Sequence, residues 1–277
     1  MVAAYTEPMQ LQPRYFFQAL VTLLALTALP AMAQTPVIGM VLMHGKGGSP
    51  NKHVNGLATQ LEARGFRVAN LEMPWSEARE YDADTDAADR QISEALAALK
   101  AKGANKLFVA GHSQGGTFGL HYASIQPVDG VIVIAPGGST AYRGYQDRMM
   151  ASIELAQKLI AEGKAAEKNR FNDYESSKGP YPVTTTATNY LSWFSADGAM
   201  NMTNSAKRLP PQTPVLWIVA KQDYPSLIRI NLPFFQNFAG NPLSRLYQPD
   251  ADHLGAPSAS ADEIIAWTEA AARATSR

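Results

Sequence analysis

Lys106-Leu-Phe-Val-Ala-Gly-His-Ser-Gln-Gly-Gly116 is the stretch on which the reading of this chain turns. Leu107 to Ala110 has the length and apolar character of a strand buried on both faces. Gly111-His112-Ser113-Gln114-Gly115 then matches G-x-S-x-G, in which a strand breaks sharply into a helix and lifts one serine hydroxyl out of the turn. Gly111 and Gly115 suit a strained turn whose new helix must pass close to the strand it leaves, because neither carries a Cβ. A helix-compatible stretch from Gly116 to Ser124 completes the context. Ser113 is the candidate nucleophile; the plainer reading is a structural turn serine.

Outward from this turn, short β-rich runs alternate with amphipathic ones, the pattern of a mostly parallel sheet wrapped by helices. Val37 to Met43 reads as a buried strand, and Val54 to Arg64 as a helix with Leu57 and Leu61 four apart, stopped at Gly65. Phe66 to Met73 is the next strand, and Ala87 to Lys102 a helix with Ile92, Leu96 and Leu99 on one face. Val131 to Ala135, Val215 to Ala220 and Ser244 to Gln248 supply later strands, and Asp262 to Ala272 a closing helix.

About eighty residues separate the strands at Val131 and Val215, where a crossover helix needs only ~10–15. The excess predicts a helical cap insertion over about 139–212, with a helix near Gln146 to Lys168 and a polar, turn-rich stretch from Asn169 to Pro182. Tyr190, Trp193 and Phe194 are candidate substrate-pocket residues there, with the insertion's own small core as the alternative use of the same side chains.

Residues 1–33 read as a signal peptide: a polar start ending at Arg14, an apolar core from Phe16 to Leu29, and Ala31-Met32-Ala33 as a small-residue cleavage site. That core is shorter than the ~20 residues a spanning helix needs. The n-region is long if initiation is at Met1, and Met9 gives a tighter signal; the sequence does not choose between them. Export to the periplasm or the exterior is expected, with 34–277 as the mature domain and no stable membrane anchor after cleavage. The chain has no cysteine, so disulfides, thiol nucleophiles and thiolate metal sites are excluded. Lys+Arg and Asp+Glu are both 24, and this neutral balance recommends no nucleic-acid partner. Composition does not fix the oligomeric state.

A serine nucleophile needs a base within hydrogen-bond reach and an acid that orients it. Of His44, His53, His112, His121 and His253, only His253 lies in a loop after the last short strand. His112 and His121, in the turn motif and the following helix, are expected to pack locally. Asp223 leaves the strand end at Val215 to Ala220, whereas Asp250 and Asp252 are competitors beside the histidine. The strand at Val131 runs into Pro136-Gly137-Gly138 and offers no carboxylate.

Ser113, Asp223 and His253 follow in the order nucleophile, acid, histidine, and His44-Gly45-Lys46-Gly47-Gly48 follows the first strong strand. In these features the chain resembles the α/β-hydrolase superfamily over nearly all of its mature length. The resemblance implies the α/β-hydrolase fold, and an oxyanion hole in which the backbone N–H of Lys46, or of Gly47, joins that of Gln114. A phosphate-cradling loop is the rival reading of Gly45 to Gly48, but the P-loop spacing with its terminal Lys-Ser/Thr is missing.

The implied chemistry is two-step acyl transfer through an acyl-enzyme, with no metal or cofactor. Serine rather than aspartate at the turn argues against dehalogenases and epoxide hydrolases, and export argues against cytosolic CoA thioesters. The expected substrate is a small to medium carboxylic ester, uncharged or weakly charged. Peptidase, amidase or acyltransferase activity on the same triad is the alternative, and a noncatalytic binding protein on this scaffold a further one.

Overall fold

Six parallel strands set the frame of the computed structural model, which describes residues 1–4, 36–175 and 178–274. They are β1 (Ile38–Met43), β2 (Arg67–Leu71), β3 (Lys106–His112), β4 (Gly130–Ile134), β7 (Val215–Ile218) and β8 (Arg245–Tyr247), in the order β2-β1-β3-β4-β7-β8. From residue 5 onwards, the signal-peptide expectation lies outside the described residues.

Every residue of β1 is buried, which is why this strand is apolar without alternation. Its two faces feed two core layers: Val41 and Met43 join Val109, Phe118 and Trp217 on one side, whereas Met40 and Leu42 join Phe108, Ile132 and Leu216 on the other. Helices α1 (Asn55–Ala63) and α9 (Ala261–Ala274) cover the second layer through Leu57, Leu61, Ile264 and Trp267. Helices α2 (Thr85–Ala101) and α3 (Gln114–Ile125) cover the first. The α2 stripe of Ile92, Leu96 and Leu99 is buried as its spacing predicts, each side chain contributing about 1.5–3 kcal/mol of transfer free energy. Asp84 caps that helix by accepting from the Ala87 N–H at 2.8 Å.

The chain runs from β1 outward to β2 and then returns to place β3 on the other side of β1. This reversal is a topological switch point, where the loops after β1 and β3 diverge and leave a crevice at the carboxyl ends of the strands. The His44–Gly48 loop and the Ser113 turn are those two loops.

Between β4 and β7 lie α4 (Arg143–Ala161), an antiparallel hairpin of β5 (Lys168–Glu175) and β6 (Gly179–Thr186), α5 (Ala187–Phe194) and α6 (Met202–Arg208). The excursion is therefore not purely helical: α4 ends at Ala161, and the polar stretch from Asn169 to Pro182 is largely strand. Its polarity has a simple origin. Phe171 and Asp173 on β5 point inward and are buried, while Arg170 and Asn172, on either side of Phe171, take the outer face. Pro180 and Pro182 are tolerated because a two-stranded ribbon has only edge strands. Among the described residues, no helix is long and apolar enough to cross a membrane.

Candidate active site

Ser113 stands between β3 and α3 with φ 53° and ψ −118°, a left-handed conformation that non-glycine residues rarely adopt. Its N–H donates to the Ile134 carbonyl on β4 at 2.8 Å, so the neighbouring strand holds the turn. The flanking glycines are needed for space: a Cβ on Gly111 would lie 2.1 Å from the Gly115 carbonyl oxygen, and one on Gly115 would lie 2.6 Å from that of His44.

His253 and Asp223 arrive from adjacent strand ends. Beyond β7 and β8 the backbone stays zipped, with the Val219 N–H donating to the Tyr247 carbonyl, Lys221 to Pro249 and Gln222 to Ala251, each at 3.0 Å. This ladder delivers Asp223 beside His253, whose Nδ1–H donates to Asp223 Oδ1 at 2.8 Å. The same oxygen accepts the Tyr224 N–H at 2.7 Å. With Nδ1 protonated, the imidazole keeps Nε2 as its acceptor. The competing carboxylates are engaged elsewhere: Asp250 accepts from Gln222 Nε2, and Asp252 accepts from the Gly255 N–H.

His112 and His253 are packed with ring centroids 4.8 Å apart, and His112 Nε2–H donates to the His253 carbonyl at 2.8 Å. His112 was expected to pack locally; instead it reaches across to the histidine loop. Burial pulls its pKa down from 6.5 to about 3, the positive charge of a protonated His253 adding to the effect. His44 is also held neutral by burial. Its Nδ1–H donates to the Gly45 carbonyl, its Nε2 accepts the Met73 N–H, and its carbonyl accepts from Trp75 Nε1, so one side chain organises the loop after β1. His121 pairs with Asp89 at 3.2 Å, away from these groups.

In that loop the Gly47 N–H donates to the Trp75 carbonyl at 2.9 Å, which removes it as an oxyanion donor. Among the described residues, the Lys46 N–H meets no acceptor. Gln114 is the first residue of α3, where a helix leaves its N–H groups without intrahelical partners and the dipole favours negative charge.

Ser113, His253, Lys46 and Gln114 all line one cavity of about 700 Å³. The excursion contributes Tyr142, Tyr145, Arg148, Tyr174, Glu175 and Lys178 to its walls, and α7 (Pro225–Phe234) contributes Leu227 and Ile230. Gly137, unremarked in the sequence beyond its lack of a carboxylate, lies over Ser113: a Cβ there would stand 3.3 Å from Ser113 Oγ.

A family model, the alpha/beta hydrolase family, matches residues 40–267 of the 277. The chain belongs to the alpha/beta hydrolase family. Among curated proteins none matches it by sequence. Solved structures similar to this hydrolase include the alpha/beta hydrolase GrgF from a Penicillium species, at 14% identity and TM-score 0.64, covering 87% of this chain and 92% of that one. The monoacylglycerol lipase of Paleococcus ferrophilus is similar at 19% identity and TM-score 0.55, covering 84% and 94%. Est1E from Butyrivibrio proteoclasticus, solved with ferulic acid bound, is similar at 16% identity and TM-score 0.53, covering 87% and 89%.

One expectation is corrected in this hydrolase. Tyr190, Trp193 and Phe194 do not line the cavity; they are buried in the core with Phe171, Trp75 and Phe118. Tyr190 stacks between Phe171 and Phe194, each at 4.5 Å, and Trp193 Nε1–H donates to the Ala83 carbonyl. The α4 and hairpin residues on the cavity wall take the place foreseen for them.

Proposed function

We propose that this alpha/beta hydrolase is an exported serine hydrolase that cleaves small to medium carboxylic esters through Ser113, His253 and Asp223. The observation that carries the reading is the 2.8 Å Asp223–His253 hydrogen bond beside a serine held at φ 53°, both opening on one cavity. The bond fixes the imidazole tautomer that leaves Nε2 free to take a proton.

Ser113 Oγ attacks the ester carbonyl carbon while His253 Nε2 takes its proton. The carbonyl π electrons move to oxygen, and the Lys46 and Gln114 N–H groups receive the resulting oxyanion, single donors of this kind being worth about 3–4 kcal/mol in the transition state. Collapse expels the alkoxide, which leaves as an alcohol with the proton from His253. Water then repeats the sequence on the acyl-enzyme, with His253 as base, and frees the acid. The segment over about 139–212 acts as the cap that walls the pocket. Ester chemistry agrees with the monoacylglycerol lipase among the structural neighbours, a likeness at the level of fold. Export rests on the leader pattern of residues 1–33.

The test is hydrolysis of p-nitrophenyl esters from acetate to decanoate by the protein and by Ser113→Ala, with fluorophosphonate labelling alongside. Ser113-dependent turnover and labelling are expected; labelling that survives the substitution sinks the reading.

A further inference from the structure

Asp173, on β5, is wholly buried, yet it takes no part in the reaction steps above. Its Oδ1 accepts from Lys46 Nζ at 2.6 Å, from the Tyr145 hydroxyl at 3.0 Å and from the Tyr174 N–H at 2.6 Å. Its Oδ2 accepts from the hydroxyls of Tyr81 at 2.8 Å and Tyr181 at 2.9 Å. Lys46 Nζ is equally saturated, with Tyr145 Oη at 3.0 Å and the Tyr174 carbonyl at 3.1 Å as further acceptors. Taking two charges out of water is costly, and a pair so placed is strongly destabilised if one partner is removed. Holding a hairpin onto a domain requires no such pair; apolar contacts would serve.

What the network does hold is specific. Lys46 lies between Gly45, whose carbonyl accepts from His44 Nδ1, and Gly47 at φ +58°, whose N–H is held by the Trp75 carbonyl, so the loop is tied on both sides of it and the Lys46 side chain is a third tether. Its N–H has no protein acceptor to aim it, but its side chain is tied at the far end to Asp173. Gln114 is tied to the same carboxylate through Tyr81, whose hydroxyl lies 3.1 Å from the Gln114 amide. A phenol has one proton. With the Tyr81 O–H donating to Asp173, the Gln114 amide meets the phenol oxygen through its NH₂ group, the isosteric flip of the carboxamide. Burial, reinforced by the Asp173 charge, pushes the phenols of Tyr81 and Tyr145 well above their ordinary range, so both stay protonated donors.

We propose that Asp173 is a positioning residue that sets the oxyanion hole, aiming the Lys46 and Gln114 N–H groups through their side chains, so that the hole is complete only while the β5–β6 hairpin is docked. The proposal rests on the serine-hydrolase reading of the same site. It makes the inserted hairpin a part of the reaction's geometry as well as a wall of the pocket.

The test compares the full protein with Asp173→Asn, Tyr81→Phe and Lys46→Met/Asp173→Asn for kcat and KM on the preferred p-nitrophenyl ester. The same proteins are titrated with a trifluoromethyl ketone of matching chain length. Ser113 Oγ adds to that ketone's carbonyl carbon, its proton passing to His253, and the hemiketal oxygen occupies the hole. Asp173→Asn is expected to lower kcat about 10–100-fold with KM within about threefold, and to weaken the ketone by the same factor as kcat/KM. A merely structural role would leave the ketone's affinity tracking KM. The double variant is expected to be no worse than Asp173→Asn, because the clamp is already lost.

Unchanged kcat and ketone affinity in Asp173→Asn, with Ser113-dependent turnover intact in the parent, overturns this proposal alone. Absence of Ser113-dependent turnover in the parent overturns the serine-hydrolase reading and this proposal with it. Should Asp173→Asn lose its cooperative thermal transition, Tyr81→Phe decides: a fall in kcat of threefold or more at constant KM supports the positioning role, and parental kcat overturns it.

Discussion

The Nε2–H of His112 donates to the carbonyl oxygen of His253 at 2.8 Å across 141 residues of sequence, so the residue preceding Ser113 carries the His253 loop. His112→Phe keeps a ring against His253 but removes the donor. It is expected to lower kcat/KM about tenfold, the worth of one buried hydrogen bond, with the far-ultraviolet spectrum unchanged; steady-state kinetics beside circular dichroism checks both.

The same burial makes stability depend on pH. The folded-state pKa of His112 is depressed from 6.5 to about 3, and that of His44 is lowered as well. Below pH 6.5 the unfolded chain therefore binds protons that the folded chain refuses. This contribution to stability is complete above pH 6.5 and is lost progressively as the pH falls toward 3, at up to about 1.4 kcal/mol per unit for His112. Thermal midpoints measured from pH 7.5 to 4.5 should decline, and the slope should be shallower in His112→Phe. An identical slope in both proteins would place the effect elsewhere.

Ser113 pays for presenting its side chain to the cavity with backbone strain at φ 53°. Ser113→Gly should abolish turnover while raising the free energy of unfolding by about 1 kcal/mol, read from urea midpoints; the gain of a freer unfolded chain works against this and keeps it small.

Asp250 stands beside His253 in sequence and Asp223 is 30 residues away, but only Asp223 reaches its ring. Asp223→Asn is expected to reduce kcat by up to about 10⁴-fold, the scale for a triad carboxylate, and Asp250→Asn to stay within about twofold. Comparable losses in the two variants would contradict the assignment.

Trp193 belongs to the core, with an edge-on contact to Trp75 at 5.5 Å and a tilted one to Phe118 at 5.2 Å. Trp193→Ala should cost about 3–5 kcal/mol in urea unfolding and leave the acyl-chain preference of the surviving enzyme unchanged. A changed preference at parental stability would return Trp193 to the pocket.

The parts of this molecule that follow strand ends were readable from the chain. Ser113 and Asp223 each succeed an apolar run and His253 follows the last short strand, and a parallel sheet brings the carboxyl ends of its strands to one edge. The hairpin was hidden because its outer face is solvated: Arg170 and Asn172 dilute the inward pair Phe171 and Asp173, and only the period-two alternation of that pair could have signalled it. Asp173 gave no sign of its role, since a carboxylate in a polar stretch looks the same whether it meets water or a buried lysine. Tyr190, Trp193 and Phe194 were ambiguous for a related reason. Apolar ring area is needed in a core and in a pocket alike, and composition does not say which face the intervening hairpin occupies.

The ladder joining Lys221 to Pro249 and Gln222 to Ala251 closes a loop at its neck. Residues 225–244 leave and re-enter between two points already fastened to each other, and within them α7 borders the cavity through Leu227 and Ile230. Asn231, Phe234 and Phe238 tie the segment to Pro136 and Trp217, so exchanges at the cavity-facing Leu227 and Ile230 can reshape the pocket while Asp223 and His253 remain clasped at the neck. That separation makes α7 the natural place to graft new selectivity onto the scaffold.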